Sequence, residues 1–387
     1  MNREKYLTMF LIYASIAIVL GLYYYRGNLT DINFSQYFEA LTDMSDTVGR
    51  SVKAGTTEID VAKFRELYFT SVAEGKIDKI EYALSFKVNI NEKNRDGQSA
   101  LFIAITSKQL NALNLLLEKG ADPNLKSPEG KTPLMVAVEQ GLPRIVKRLI
   151  EFGAFFDAKD NNSRTPLMMA ADTGQYEVMR VLFEKTPDVN SRDNEAVTAL
   201  MLAASQGGTD SVRLLLEKGA NIKLRDKRNW TALTYAVFWG HLNVIKILDE
   251  AGADPSVRDV DNGSLVALAA MKGHIDVLEF LAGKKLDLNS ADESGNTPLL
   301  MSVACNQFQS VKFLCEHGAR VNQANKKGRN ALMDAAAAGR ANIVKYLLSR
   351  GADKNLSDAE NNTALMIAAM KGHPEIVEII RNFKQKK

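Results

Sequence analysis

Apolar and polar positions return in one fixed frame from about residue 62 onward. The runs KTPLMVAVEQG, RTPLMMAADTG, VTALMLAASQG, WTALTYAVFWG, NTPLLMSVACN and NTALMIAAMKG share a layout in which a hydroxyl residue opens an apolar stretch. The openers are Thr132, Thr165, Thr198, Thr231, Thr297 and Thr363, with Ser99, Ser264 and Asn330 in the remaining slots, so every spacing is a multiple of 33. Asp160, Asp193, Asp226, Asp259, Asp292 and Asp358 stand five positions before that slot, and Asn124, Asn190, Asn289, Asn322 and Asn355 stand twenty-five after it. Extended backward, the frame reaches Glu66 with Gly75 in register, which makes ten units with a degenerate first.

Each unit predicts two helices and a turn. Thr at the start of an apolar run can cap a helix, and Pro133, Pro166 and Pro298 sit at the first helical position, where no N–H is needed. Gly141, Gly174, Gly207, Gly240, Gly273, Gly339 and Gly372 fall where a left-handed C-terminal residue is required. Leu134, Leu167, Leu200 and Leu233 with Ala137, Ala170, Ala203 and Ala236 make the buried side of these first helices. A second helix follows, as in PRIVKRLIEFG or NIVKYLLSRG, and the Asp-containing segment after it forms a hairpin-like turn. Units of this size cannot bury their apolar faces alone, so stability comes from stacking.

The pattern resembles the ankyrin repeat, whose signature is T-P-L-H-x-A with a downstream G-H and G-A-D-x-N. The resemblance implies an all-α repeat solenoid of about ten helix-turn-helix units with β-hairpin-like turns, filling residues 62–387. Where the family has His, this chain has Phe102, Met135, Met168, Met201, Thr234, Ala267, Leu300, Met333 and Met366, which puts the usual His hydrogen bonds in question. Met in that slot looks like bacterial ankyrin proteins. In the last unit Arg381 replaces the aliphatic residue found as Leu117, Ile150, Leu216 and Leu348, which reads as a capping change at the end of a stack.

The N-terminal stretch predicts a different environment. YLTMFLIYASIAIVLGLYYY, Tyr6 to Tyr25, carries no charge and is closed by Arg26. As a helix it would span about 30 Å, the thickness of a hydrocarbon core. The expectation is a signal-anchor transmembrane helix over residues 1–26. Arg3 and Lys5 against Arg26 place the N-terminus in the cytoplasm and, for a bacterial inner membrane, the array in the periplasm. Residues 27–61 form a linker with one short amphipathic helix marked by Phe34, Tyr37, Phe38, Leu41, Met44 and Val48.

Composition narrows the chemistry. A formal charge of +3, from 49 basic and 46 acidic residues, gives no reason to expect a nucleic-acid partner. Two cysteines, Cys305 and Cys315, are too few for a disulfide framework and lack zinc-site spacing. Cys305 has no repeated His or Asp placed to activate it and reads as a buried or half-buried inert thiol. The Gly130–Thr132 GKT lacks the upstream glycine of a phosphate loop, because Leu125 occupies that place. His241 and His274 fill the G-H slot, which points to structure rather than to a metal. The N-x-T/S matches at Asn161, Asn229, Asn262 and Asn361 arise because Asn suits the turn before the opener. No catalytic residue, cofactor, metal or small-molecule substrate is expected.

What remains is binding. Both tryptophans, Trp230 and Trp239, lie in NWTALTYAVFWGH. At 100° per residue Phe238 and Trp239 point away from the core side set by Leu233 and Ala236, while Trp230 precedes the cap and belongs to the hairpin. Val197, Trp230, Phe238, Trp239 and Met271 are therefore expected to form one exposed apolar patch for a protein partner. In the competing packing, the indoles fold back onto adjacent helices or each other. Two functions follow: a membrane-tethered interaction module that recognises a protein, or a structural or protective spacer without a tight partner.

Overall fold

The computed structural model describes residues 61–86 and 88–384. Among these are twenty α-helices and no strand, with isolated antiparallel bridges at Lys93–Ser99, Arg258–Ser264 and Ser357–Thr363 in the hairpin-like turns. The chain divides into two compact units, the second beginning in the main at Ile90. The first contains most of α1 (Val61–Glu74) and α2 (Ile77–Ser85). Here Phe64 stacks on Phe86 with ring centroids 4.2 Å apart, and Phe86 meets Tyr82 edge-on at 4.8 Å. Helix α1 has 14 residues where the first helices of later repeats have seven or eight, so the repeat is degenerate here, as the sequence suggests.

The larger unit is a stack of helix pairs in register. The pairs are α3 (Ala100–Thr106) with α4 (Leu110–Glu118), α5 (Pro133–Glu139) with α6 (Pro143–Glu151), and α7 (Pro166–Asp172) with α8 (Tyr176–Leu182). Next come α9 (Ala199–Gln206) with α10 (Thr209–Glu217), α11 (Ala232–Trp239) with α12 (Leu242–Glu250), and α13 (Leu265–Lys272) with α14 (Ile275–Gly283). The last are α15 (Pro298–Ala304) with α16 (Phe308–Glu316), α17 (Ala331–Ala337) with α18 (Ala341–Ser349), and α19 (Ala364–Met370) with α20 (Pro374–Asn382). First helices pack on the first helices of adjacent pairs: α11 lies between α9 and α13. The leucine and alanine positions named from the sequence are buried between them, among them Leu134, Ala137, Leu200, Ala203, Leu233 and Ala236.

Helix ends form for local reasons. Thr132, Thr165, Thr198, Thr231, Thr297 and Thr363 each accept a hydrogen bond through the side chain from the backbone N–H three residues on. Ser264 and Asn330 do the same. Where the family has His, three units offer another acceptor to the cap N–H. The N–H of Thr132 and of Thr165 points at the sulfur of Met135 and Met168 at 3.4 and 3.5 Å, and in the sixth unit the Thr234 hydroxyl accepts from the Thr231 N–H at 3.2 Å. Sulfur is a weak acceptor, so methionine contributes here mainly by filling buried volume.

Adjacent units are also tied through polar atoms. The Asn124 amide donates to the Gly153 carbonyl at 3.0 Å and accepts from the Phe155 N–H at 2.8 Å, and Asn190, Asn289 and Asn322 repeat this with the following unit. Hairpin tips are joined by single backbone bonds, such as Lys227 N–H to Glu195 O and Val260 N–H to Arg228 O. Arg381 is exposed on α20, whereas Leu117 and Leu348 at the same slot are buried and Ile150 and Leu216 half-buried.

Among the described residues no helix is long and apolar enough to cross a membrane, which corrects the expected single-pass placement with a periplasmic array. The 6–25 segment on which it rested, with the linker at 27–61, lies outside the described residues except for Val61. Beyond α1, the first helices are short because each ends at a left-handed glycine or an equivalent turn after about two turns of helix.

Candidate functional site

In the third, fourth and sixth units two slots meet at one face of the first helix: the residue just before the cap and the residue eight further on. In the third unit they hold Lys131 and Glu139, ion-paired at 2.7 Å, and in the fourth Arg164 and Asp172 at 2.8 Å. The fifth unit has Val197 and Ser205 there. In the sixth, Trp230 and Phe238 take the same places, with ring centroids 5.2 Å apart. The register that joins a cation to a carboxylate in one unit joins two aromatic rings in another.

A polar network fixes the Trp230 end. Asp226 closes the hairpin by accepting from the N–H groups of Arg228 and Trp230 through Oδ1, at 2.9 and 2.8 Å. Its other oxygen accepts from the Tyr235 hydroxyl at 2.9 Å and from Arg228 Nε at 3.2 Å. Arg228 also donates from a terminal nitrogen to the Tyr235 hydroxyl at 2.7 Å, and its guanidinium carbon lies 4.0 Å from the Trp230 ring. Burial, reinforced by the Asp226 carboxylate and opposed by Arg228, pushes the Tyr235 phenol up to about 12. A guanidinium stacked on an indole while bonded to a carboxylate is held in one rotamer, so Trp230 is clamped rather than presented.

At the other end of α11 the chain turns out to solvent. Gly240 is left-handed at φ 77°, and a β-carbon there would lie 2.6 Å from the His274 ring, so only glycine allows the next unit this close. The His274 Nε2 sits 3.1 Å from the Phe238 carbonyl, and the His241 Nε2 sits 2.9 Å from the Ser205 carbonyl. Both imidazoles are thus committed to the carbonyl at the same slot of the preceding unit. Trp239 follows Phe238, meets it edge-on at 5.2 Å, and is 55% exposed.

The five residues expected to form one exposed patch divide into three environments. Trp239 is exposed, Phe238 and Met271 are half-buried, and Trp230, at 9% exposure, and Val197 are buried. The exposure expected for Trp230 is therefore corrected: a residue before the cap lies along its own helix, where Phe238, Tyr235 and Arg228 cover it. The side chain of the seventh unit that lies on the cluster is Lys272, with Nζ 3.9 Å from the Phe238 ring centroid. Val197 instead lines a groove of about 400 Å³ with Leu202, between the Arg164–Asp172 pair on one side and Asp226, Arg228 and Tyr235 on the other.

Asp226, Arg228, Tyr235 and Lys272 are absent from the sequence-derived patch. Tyr235 was legible in outline, because it stands between the tryptophans at the helix position that faces the hairpin. Lys272 was not, because its contact crosses from one unit to the next. Cys305 corrects a further expectation: it is exposed, at the end-of-helix slot that Trp239 occupies in its own unit, whereas Cys315 is the buried thiol. Lys131 of the GKT triplet is engaged by Glu139. No group of three or more His, Cys, Asp or Glu residues suited to a metal occurs among the described residues.

The family model described as ankyrin repeats (3 copies) matches at residues 57–127, 120–193, 187–259, 266–358 and 322–386. The search of curated proteins returns no match. With threonine-capped first helices, left-handed glycines, hairpin turns and amide clamps recurring every 33 residues under matches that span most of its length, this chain belongs to the ankyrin repeat family.

Proposed function

We propose that the array, taken as residues 62–387, is a non-enzymatic module that docks a protein partner on the face centred on the sixth unit. Trp239 is the anchor, Phe238 and Met271 flank it, and Trp230 and Val197 form the buried support and the adjoining groove. The family supports an interaction role in general. The observation that carries the choice of surface is the exposure of Trp239 at 55% on a ring pair that is otherwise packed. A large aromatic side chain held on a rigid helix end in water has little to gain in the free protein and much to gain in an interface.

The test compares wild type with Trp239→Ala as immobilised full-length baits against a soluble proteome. Proteins retained by wild type should be lost from the variant, with affinity lower by about 2 kcal/mol for any one of them and the melting temperature unchanged. Identical retention by both baits would remove Trp239 from the interface. An array that retains no protein at all would favour the spacer reading.

A further inference from the structure

The exposed aromatic face also carries a cation with no carboxylate partner among the described residues. Lys272 lies over Phe238, and Phe238 packs against Trp239. Three neighbouring cations are paired: Arg164 with Asp172, Lys227 with Glu195, and Arg228 with Asp226 and Tyr235. Lys272 forms no ion pair with any carboxylate among the described residues. An aromatic ring attracts an ammonium group through its quadrupole but leaves its full charge in place. The hydrogens turned away from the ring remain free to donate.

We propose that the partner is a protein segment that sets a large apolar side chain against Trp239 and places a carboxylate beside it on the Lys272 ammonium. This rests on the docking reading above and adds the partner's chemistry to it. The apolar contact would exclude water from the rim of the ring pair, and a carboxylate arriving there meets the ammonium lying on Phe238. A single-stranded nucleic acid would also stack on an indole, but its affinity depends on neutralising several phosphates. Here a single ammonium, Lys272, lies on the ring pair, and the neighbouring hairpin tips present the exposed carboxylates Glu195, Asp261 and Glu293.

The experiment selects a phage library of random dodecapeptides on the full chain and measures the enriched peptides by fluorescence anisotropy. Enriched sequences should pair Asp or Glu with a neighbouring aromatic or long aliphatic residue. Trp239→Ala should weaken binding about thirtyfold and Lys272→Glu about tenfold, and changing the peptide's acid to Lys should restore binding to Lys272→Glu. Lys272→Gln, with unchanged circular dichroism and melting, should fall between wild type and Lys272→Glu. Loss with Trp239→Ala but indifference to Lys272→Glu would overturn the carboxylate and leave the docking surface standing. Indifference to both substitutions, or no enrichment, would overturn both. Tight, steeply salt-dependent binding of oligo(dT) that requires Trp239 would replace the protein segment with a nucleic acid.

Discussion

The fourth and sixth units share a backbone and differ in what they do with one pair of slots. In the fourth, Arg164 and Asp172 neutralise each other across the helix face, and nothing in the pair is left over for a partner. In the sixth, Trp230 and Phe238 fill the slots with rings, Arg228 and Asp226 clamp one end, and Trp239 projects at the other. The difference shows how a repeat protein can separate stability from recognition. The capped helices and tip hydrogen bonds are common to both units, so the variable slots can serve either a local ion pair or an exposed aromatic surface.

The sharpest way to break this comparison is to cut each tryptophan to alanine. Trp230→Ala should cost about 3 kcal/mol, because a buried ring is removed and Arg228 loses its stacking face, while Trp239→Ala should change stability by less than about 0.5 kcal/mol. Urea unfolding monitored by circular dichroism measures both. Acrylamide quenching should likewise separate a protected indole from an accessible one, and Trp239→Phe should leave only the protected, blue-shifted emission. Equal stability losses, or equal quenching of the two indoles, would return the pair to a single environment.

The clamp in the sixth unit should next show itself through pH. The Tyr235 phenol is raised from 10.0 to about 12, so the folded protein holds the neutral form while the unfolded chain ionises near its ordinary value. Its contribution is therefore fully present below pH 10 and is lost as pH rises toward 12. Wild type should lose stability across that window more steeply than Tyr235→Phe, measured by urea midpoints at stepped pH. Parallel profiles would mean that the Asp226–Tyr235–Arg228 contacts do not survive in solution.

The smallest effect belongs to the ion-paired unit. A double-mutant cycle on Arg164 and Asp172 should give a coupling of about 0.5 kcal/mol that shrinks with added salt, because both side chains are about one-third exposed. A salt-insensitive coupling above about 2 kcal/mol would place the ion pair on the same energetic footing as the aromatic clamp and erase the contrast.

Much of this fold was legible because its determinants are local. A threonine that caps, a proline at the first helical position and a glycine that takes a left-handed turn act through atoms a few residues away, so one strand of text carries them. The outward direction of Phe238 and Trp239 was legible for the same reason, since helix geometry fixes it. The burial of Trp230 was not legible from helix geometry, because a residue before the cap has no fixed rotation about the helix axis, and assigning it to the hairpin left its exposure open. The exposed Cys305 follows from its helix-end slot, and its exposure could have been inferred by analogy with Trp239. The charge-free run at residues 6–25 gave a membrane reading to which the described helices lend no support.

The sequence by itself determined the period, the caps, the breaks between helices and the core side of each first helix, because these depend on propensity and on contacts within one unit. Only the tertiary structure decided that Arg228 covers Trp230, that Lys272 lies on Phe238, and that His274 reaches the Phe238 carbonyl. Arg228 reaches Trp230 through the hairpin geometry that Asp226 holds. The other two contacts join residues of successive units, and their existence depends on the distance and rotation between stacked helices. That spacing is set by the packing of small residues and by the close approach that Gly240 permits, and no single unit of the sequence specifies it.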